Sequence, residues 1–167
     1  PHESKHKALS PYLFDTSNLR DRHLVVEERH EPIADVPKMK AGSQPLDDQN
    51  FIFDVASRND LLATEPNAAR FLRPYVGSEE YINGGERWIL SLQEARPDEI
   101  RALPRVLALL QAVREFRAKS KRKGTLAIAD QPTRFNVEVI PKRPFLVVPK
   151  VSSERRAYVP IGWMQPP

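Results

Sequence analysis

The residues of this chain able to do chemistry fall in three polar segments. The first, Arg114 to Lys123, carries Arg114, Arg117, Lys119, Lys121, Arg122 and Lys123 against a single acid, Glu115. Clustered lysine and arginine release condensed counterions when they meet duplex phosphates. The same cations suit the negative end of a helix dipole, so a solvated helix end is the plainer account of them. In the second, Phe135 to Ile140, alternation places Phe135, Val137 and Val139 on one side of a strand and Asn136 and Glu138 on the other. Asparagine can bond adenine with two hydrogen bonds, and glutamate can accept from the cytosine amine. Arg134, Lys142 and Arg143 flank this strand, placed to hold phosphate or read guanine. An ordinary half-buried strand with two polar residues in water has the same pattern. The third segment, Ser152, Ser153, Glu154, Arg155 and Arg156, is an exposed corner or a set of hydroxyl and guanidinium donors for a nucleic-acid backbone. Arg73 before Pro74-Tyr75 and Arg87 before Trp88 pose the same choice, because arginine beside aromatics is often stacked and structural.

A catalytic constellation is missing. All four histidines, His2, His6, His23 and His30, lie in the N-terminal part and lack metal-ligand spacing with carboxylates. There is no nucleophile elbow, phosphate-binding loop or dinucleotide fingerprint. The pairs Asp47-Asp48 and Glu79-Glu80 read as solvated turn residues before they read as acid–base partners. With no cysteine, disulfides, thiolate zinc sites and thiol nucleophiles are excluded, which fits a cytoplasmic protein. No apolar run is long enough to span a bilayer, no signal peptide opens the chain, and the first residue is proline, as expected of a fragment or processed chain. A net charge of +4 and a pI near 9.5 are compatible with a nucleic-acid partner without requiring one.

The elements that must position these segments are punctuated by sixteen prolines, which argue against a plain helical bundle. Residues 1–23 read as irregular, with an apolar knot at Tyr12-Leu13-Phe14, followed by a short β-like run at Leu24-Val25-Val26. A long proline-bearing loop, 29–50, precedes a strand at 50–54. Ser57, with Asp60 three residues on, signals a helix start; that helix stops before Pro66, and 68–72 adds another helical turn. Gly84-Gly85 reads as a tight turn between Tyr81-Ile82 and a strand at 87–92. Asp98 and Glu99 cap a short turn. The clearest helix runs from Pro104 to Lys119, its apolar stripe formed by Leu103, Val106, Leu107, Leu110, Val113 and Phe116. Four short β runs follow, at 125–129, 135–140, 145–148 and 158–161. The fold class is α+β: one domain with a mixed or antiparallel sheet, one long amphipathic helix and long Pro-rich loops.

Several motifs then appear in order: Leu9 to Leu13, Pro37 to Asp47, Phe71 to Asn83, Glu86 to Trp88, Val113 to Arg117, Val151 to Arg156 and Tyr158 to Gly162. The series resembles the target recognition region of MmeI-like DNA methyltransferases, S-adenosylmethionine-dependent enzymes of fused type II restriction-modification systems. The resemblance implies a domain over 24–167 that binds double-stranded DNA and reads bases. It implies that S-adenosylmethionine and methyl transfer to an adenine amine belong to a methyltransferase domain of the same parent chain. The family's Asn-Pro-Pro-aromatic motif and glycine-rich cofactor motif are absent here, so the segment is expected to be non-catalytic and to hold no cofactor itself. Family base readers lie between the elements matched by Pro132 to Phe135 and Ser152 to Arg156, which points to Asn136, Glu138, Lys142 and Arg143. Arg73, Ser78, Arg87, Ser153, Arg155 and Arg156 match positions expected to be architectural or to touch phosphate. Arg117, Lys119, Lys121, Arg122, Lys123 and Arg134 complete the expected DNA-binding set. The alternative, a protein-interaction or scaffold module without nucleic acid, draws on the mild charge and the many prolines.

Overall fold

A computed structural model describes residues 5, 7, 15–18, 31–32, 34–37 and 39–167. The expected apolar knot at 12–14, the β-like run at 24–26 and the four histidines lie outside the described residues. The chain divides into two units, Pro1–Lys40 and Ala41–Pro167. Among the described residues of the first unit is a turn in which Asp15 accepts from the backbone N–H of Ser17 at 2.9 Å.

The second unit is α+β. Three short strands, β1 (Ile52–Phe53), β2 (Leu72–Pro74) and β3 (Trp88–Leu90), form an antiparallel sheet with β3 central. In register, Ile52 faces Ile89 and Leu72 faces Leu90. Between β1 and β2 runs α1 (Val55–Thr64), followed by a 3-10 turn at Pro66–Phe71. The start of α1 departs from the sequence reading. Asp54 is the N-cap and accepts from the Ser57 N–H at 2.8 Å, while the Ser57 hydroxyl takes the Asp54 N–H at 3.0 Å. Asp60, assigned to that cap from spacing, instead pairs with Arg105 at 2.6 Å.

Next come α2 (Ser78–Asn83), α3 (Pro97–Arg101) and α4 (Pro104–Ala118). Gly84 ends α2 with φ of 78°, a left-handed backbone that glycine adopts without strain. The glycine pair is therefore a helix stop and not the corner of a hairpin. Proline opens α4, where its missing N–H has no partner to lose. The N-terminal amides of α4 are served from a distance: the buried carboxylate of Glu65 accepts from the N–H of Arg105 at 2.5 Å and of Val106 at 3.3 Å.

The core lies between the three-stranded sheet and α4. Phe51, Phe53, Leu61, Phe71, Ile89, Leu90, Leu92, Leu103, Val106, Leu110, Val113 and Phe135 are buried there. Burial of each α4 side chain in that group contributes on the order of 1.5–3 kcal/mol. Leu107 and Phe116, expected on the stripe, stand at its exposed margins.

After α4 the chain departs furthest from expectation. Residues 125–129 are not a strand: Lys123–Leu126 forms the short α5 and turns follow. The carbonyls of Ile128 and Gln131 are drawn inward by a buried arginine, which sets this backbone more firmly than β propensity does. The 135–140 run forms only one bridge, between Val137 and Gln44. A second antiparallel sheet pairs β4 (Phe145–Val147) with β5 (Gly162–Met164), so the strand expected at 158–161 is displaced past Pro160, which has no N–H to donate.

Candidate nucleic-acid interface

The basic run ends α4 and continues through α5. Lys119, Lys121, Arg122 and Lys123 are exposed and make no ion pair among the described residues. Arg114 spends its charge on Asp130 at 2.8 Å. Lys121 and Arg122 line a shallow concavity of about 470 Å³ together with Asp47, Asp48, Gln49, Leu46, Phe116, Ser120 and Thr125. Cations of the run thus share a surface with the acidic turn at 47–48.

Arg117 is the exception and corrects the sequence reading. It is fully buried (0% exposed) and cannot touch a phosphate. Its guanidinium donates to four main-chain carbonyls: Nε to Leu46 (2.9 Å), Nη2 to Pro45 (2.7 Å), and Nη1 to Ile128 (3.2 Å) and Gln131 (3.0 Å). Burial lowers its pKa, an effect opposed by nearby Asp47, but arginine stays charged throughout the accessible range. Burial likewise raises the Asp47 carboxyl above its ordinary value, against the opposing pull of hydrogen bonds from the backbone, the Phe51 N–H first among them at 2.5 Å. A sequence signal for Arg117 did exist. Buried positions 103, 106, 110 and 113 step by three or four, and 117 is the next step.

The segment expected to read bases is held by its backbone. Phe135 is buried, its ring 6.0 Å from that of Phe51. Gln44 exchanges main-chain hydrogen bonds with 136–137, and the Ser43 hydroxyl both donates to and accepts from the Val139 backbone, at 3.1 and 3.0 Å. Asn136 is exposed, as alternation requires. Glu138 is not its companion on the solvent side: its Oε1 accepts from buried Ser91 at 2.5 Å, and its Oε2 is buried without a hydrogen-bond partner among the described residues. Arg134, Lys142 and Arg143 are exposed.

The remaining residues gather around α2. Glu80 accepts from the Gly77 N–H at 2.8 Å and from Arg87 Nη2 at 2.7 Å, while the Arg87 guanidinium lies 5.3 Å from the Tyr75 ring. Arg87 is thereby committed to internal partners. Arg73 likewise donates to the carbonyls of Arg70 and Leu72, at 2.6 and 3.1 Å. Ser78 accepts from the Lys150 N–H at 3.1 Å. That hydrogen bond brings the Phe71 to Asn83 motif beside the start of the Val151 to Arg156 motif, and a concavity of about 230 Å³ lies between them, lined by Ser78, Asn83, Ser153 and Arg156 among others. The Ser153 hydroxyl takes the Arg155 N–H at 3.2 Å, and both arginine side chains stand in solvent. One feature left no sequence signal, an exposed apolar face on the β4–β5 sheet, where Leu146 and Trp163 are cross-strand partners and Trp163 is 72% exposed.

The described residues thus make an α+β domain with exposed cations on several segments and with Arg73, Arg87 and Arg117 bonded to internal partners. The chain belongs to the family described as MmeI, target recognition domain, whose model matches residues 20–167. It is 34% identical over 154 residues to DNA methyltransferase A of Bacillus subtilis (strain 168), a match covering 92% of this chain and 17% of that protein. It also superimposes on the type IIL restriction-modification enzyme MmeI, whose structure was solved in complex with DNA. There the TM-score is 0.84 and the identity 38%, over 97% of this chain and 21% of that one. The chain therefore spans about a fifth of the length of the relatives it matches. No helix among the described residues is long and apolar enough to cross a membrane, and no group of acidic and histidine side chains there is placed to hold a metal.

Proposed function

We propose that this domain binds double-stranded DNA and reads part of its base sequence for a longer DNA methyltransferase. The observation that carries the reading is likeness over 97% of the chain, at 38% identity, to an enzyme solved in complex with DNA. The surface chemistry agrees with it. Lys119, Lys121, Arg122, Lys123, Arg134, Arg155 and Arg156 are exposed cations suited to phosphate. Asn136, Lys142 and Arg143 are exposed on or beside the backbone-anchored segment and are suited to base edges. Glu138, with one carboxylate oxygen bonded to Ser91 and the other buried, supports the segment from within, and Arg73, Ser78, Arg87 and Ser153 hold the framework.

Methyl transfer to an adenine amine, with S-adenosylmethionine as donor, belongs in this reading to a methyltransferase domain elsewhere in the longer polypeptide. The present residues do not fit that cofactor: the two glycines with positive φ adjoin the end of α2, and no glycine-rich turn among the described residues leads from a strand into a helix. The exposed Leu146–Trp163 face supports docking against another part of the same polypeptide.

The test is a salt titration of duplex binding by the full-length protein carrying Lys121→Glu, Arg122→Glu and Lys123→Glu. The slope of log affinity against log salt should flatten by about 0.9 for each phosphate no longer neutralised, up to about 2.7 for three. An unchanged slope removes the run from the interface, and a wild-type protein that ignores duplex DNA at low salt removes the function.

A further inference from the structure

Arg117 lies at the junction of two backbone routes to the exposed Asn136. By one route, its Nη2 and Nε hold the carbonyls of Pro45 and Leu46. The residues just before these, Ser43 and Gln44, are the ones that grip the reading segment. The Gln44 N–H donates to Val137 O at 2.7 Å, the N–H of Asn136 donates to Gln44 O at 3.1 Å, and the Ser43 hydroxyl bridges the Val139 N–H and C=O. By the other route, Nη1 holds the carbonyls of Ile128 and Gln131. Gln131 O also accepts from the Arg134 N–H at 3.0 Å, two residues before Asn136. A single planar group thus fixes both the strand-like partner of the segment and the turn that delivers it.

The 45–49 turn is also costly to form. Leu46, Asp48 and Gln49 have φ of 50°, 53° and 63°, which side-chain-bearing residues seldom adopt. Such a conformation persists where its surroundings over-determine it. Here they do: Arg117 holds Leu46 O, the Asp47 carboxylate holds the Phe51 N–H, and the Asn50 side chain donates to Asp47 O at 2.7 Å.

We propose that Arg117 is a positioning residue for base recognition: without touching DNA, its four-carbonyl fan sets where residues 136–139 sit and so determines how sharply one base sequence is preferred over another. This rests on the DNA-reading proposal above. Charge alone is not enough. Lysine keeps the cation, but its ammonium has three donors on one atom and cannot reach carbonyls spread around the edge of a planar guanidinium.

The experiment compares wild type with Arg117→Lys, Arg117→Met and, as a milder change elsewhere on the same route, Ser43→Ala, all in the full-length protein. Two quantities are read: backbone amide exchange, and enrichment from a pool of random duplexes. In both Arg117 variants, exchange across 42–47 and 128–139 should rise about tenfold or more while α1 keeps its protection. Discrimination between the preferred duplex and single-base changes should fall about tenfold, with the salt slope unchanged. Ser43→Ala should move both readouts the same way by a smaller factor, and it decides the matter should the Arg117 variants not fold. A general loss of folded protein would lower binding to all duplexes alike and leave their ranking intact; that result, wild-type exchange at 135–139, or full rescue by lysine overturns the proposal. If wild type selects no duplex, the DNA reading falls, and the exchange data still decide whether Arg117 positions the segment.

Discussion

Replacing Glu65 with alanine should be among the most damaging single changes in the domain, although Glu65 lies far from every exposed cation of the basic run in sequence. Glu65 is 7% exposed, its carboxylate accepts from the N–H groups of Arg105 and Val106, and Val106 is itself fully buried. A hydrogen bond to a charged group contributes about 1.5–3 kcal/mol, and a buried amide left without an acceptor costs about 1–3 kcal/mol. A carboxylate at a helix N-terminus adds about 0.3–1 kcal/mol from the dipole. These terms overlap, so Glu65→Ala should cost about 2–4 kcal/mol. Glu65→Gln retains one acceptor oxygen and should cost roughly half of that. Asp60→Ala is the control: its ion pair with Arg105 is short, but its side chain is 69% exposed, and such pairs contribute under about 1 kcal/mol. Urea denaturation followed by circular dichroism measures all three. If the alanine variants at 60 and 65 lose equal stability, burial and helix capping are not what gives Glu65 its weight, and the reasoning fails.

Other outcomes follow from the same geometry. A β-carbon at Gly162 would run into the Tyr81 hydroxyl, so Gly162→Ala should destabilise the domain by about 1–3 kcal/mol, and adding Tyr81→Phe should restore part of the stability in thermal melts. The hydrogen bond from Arg87 holds the Glu80 carboxyl below its ordinary value of 4.5. A lowered folded pKa means stability present above the unfolded value and lost as pH falls through the folded one. The gap in stability between wild type and Glu80→Gln should therefore be widest near neutrality and narrow once pH drops below 4.5; a gap constant with pH refutes the pairing.

The α4 stripe is plain in the sequence because its burial follows helical spacing, and four of the six stripe residues are buried. Arg117 sits on the same helical spacing but is concealed by its charge. A charge is assigned to the wet face by type, whereas its position continues the apolar series, and only the carbonyls of distant loops make its burial tolerable. Of the β runs expected after Gly124, 145–148 forms β4, whereas 125–129 and 135–140 form no strand, for a related reason. Their residues favour strands, but strands need partners, and 125–129 has none while 135–140 finds only Gln44. The order of the motif-rich segments is visible along the chain, but their meeting is not. The approach of Ser78 to Lys150, seventy-two residues apart, is a tertiary fact with no local trace.

The grip on residues 136–139 is made almost wholly through peptide groups, with Ser43 and Gln44 as its far side. Every residue carries a backbone carbonyl, and every residue but proline a backbone N–H. The fold therefore asks little of the side chain at 136, which can be exchanged like type in a locked frame while the frame keeps its alignment.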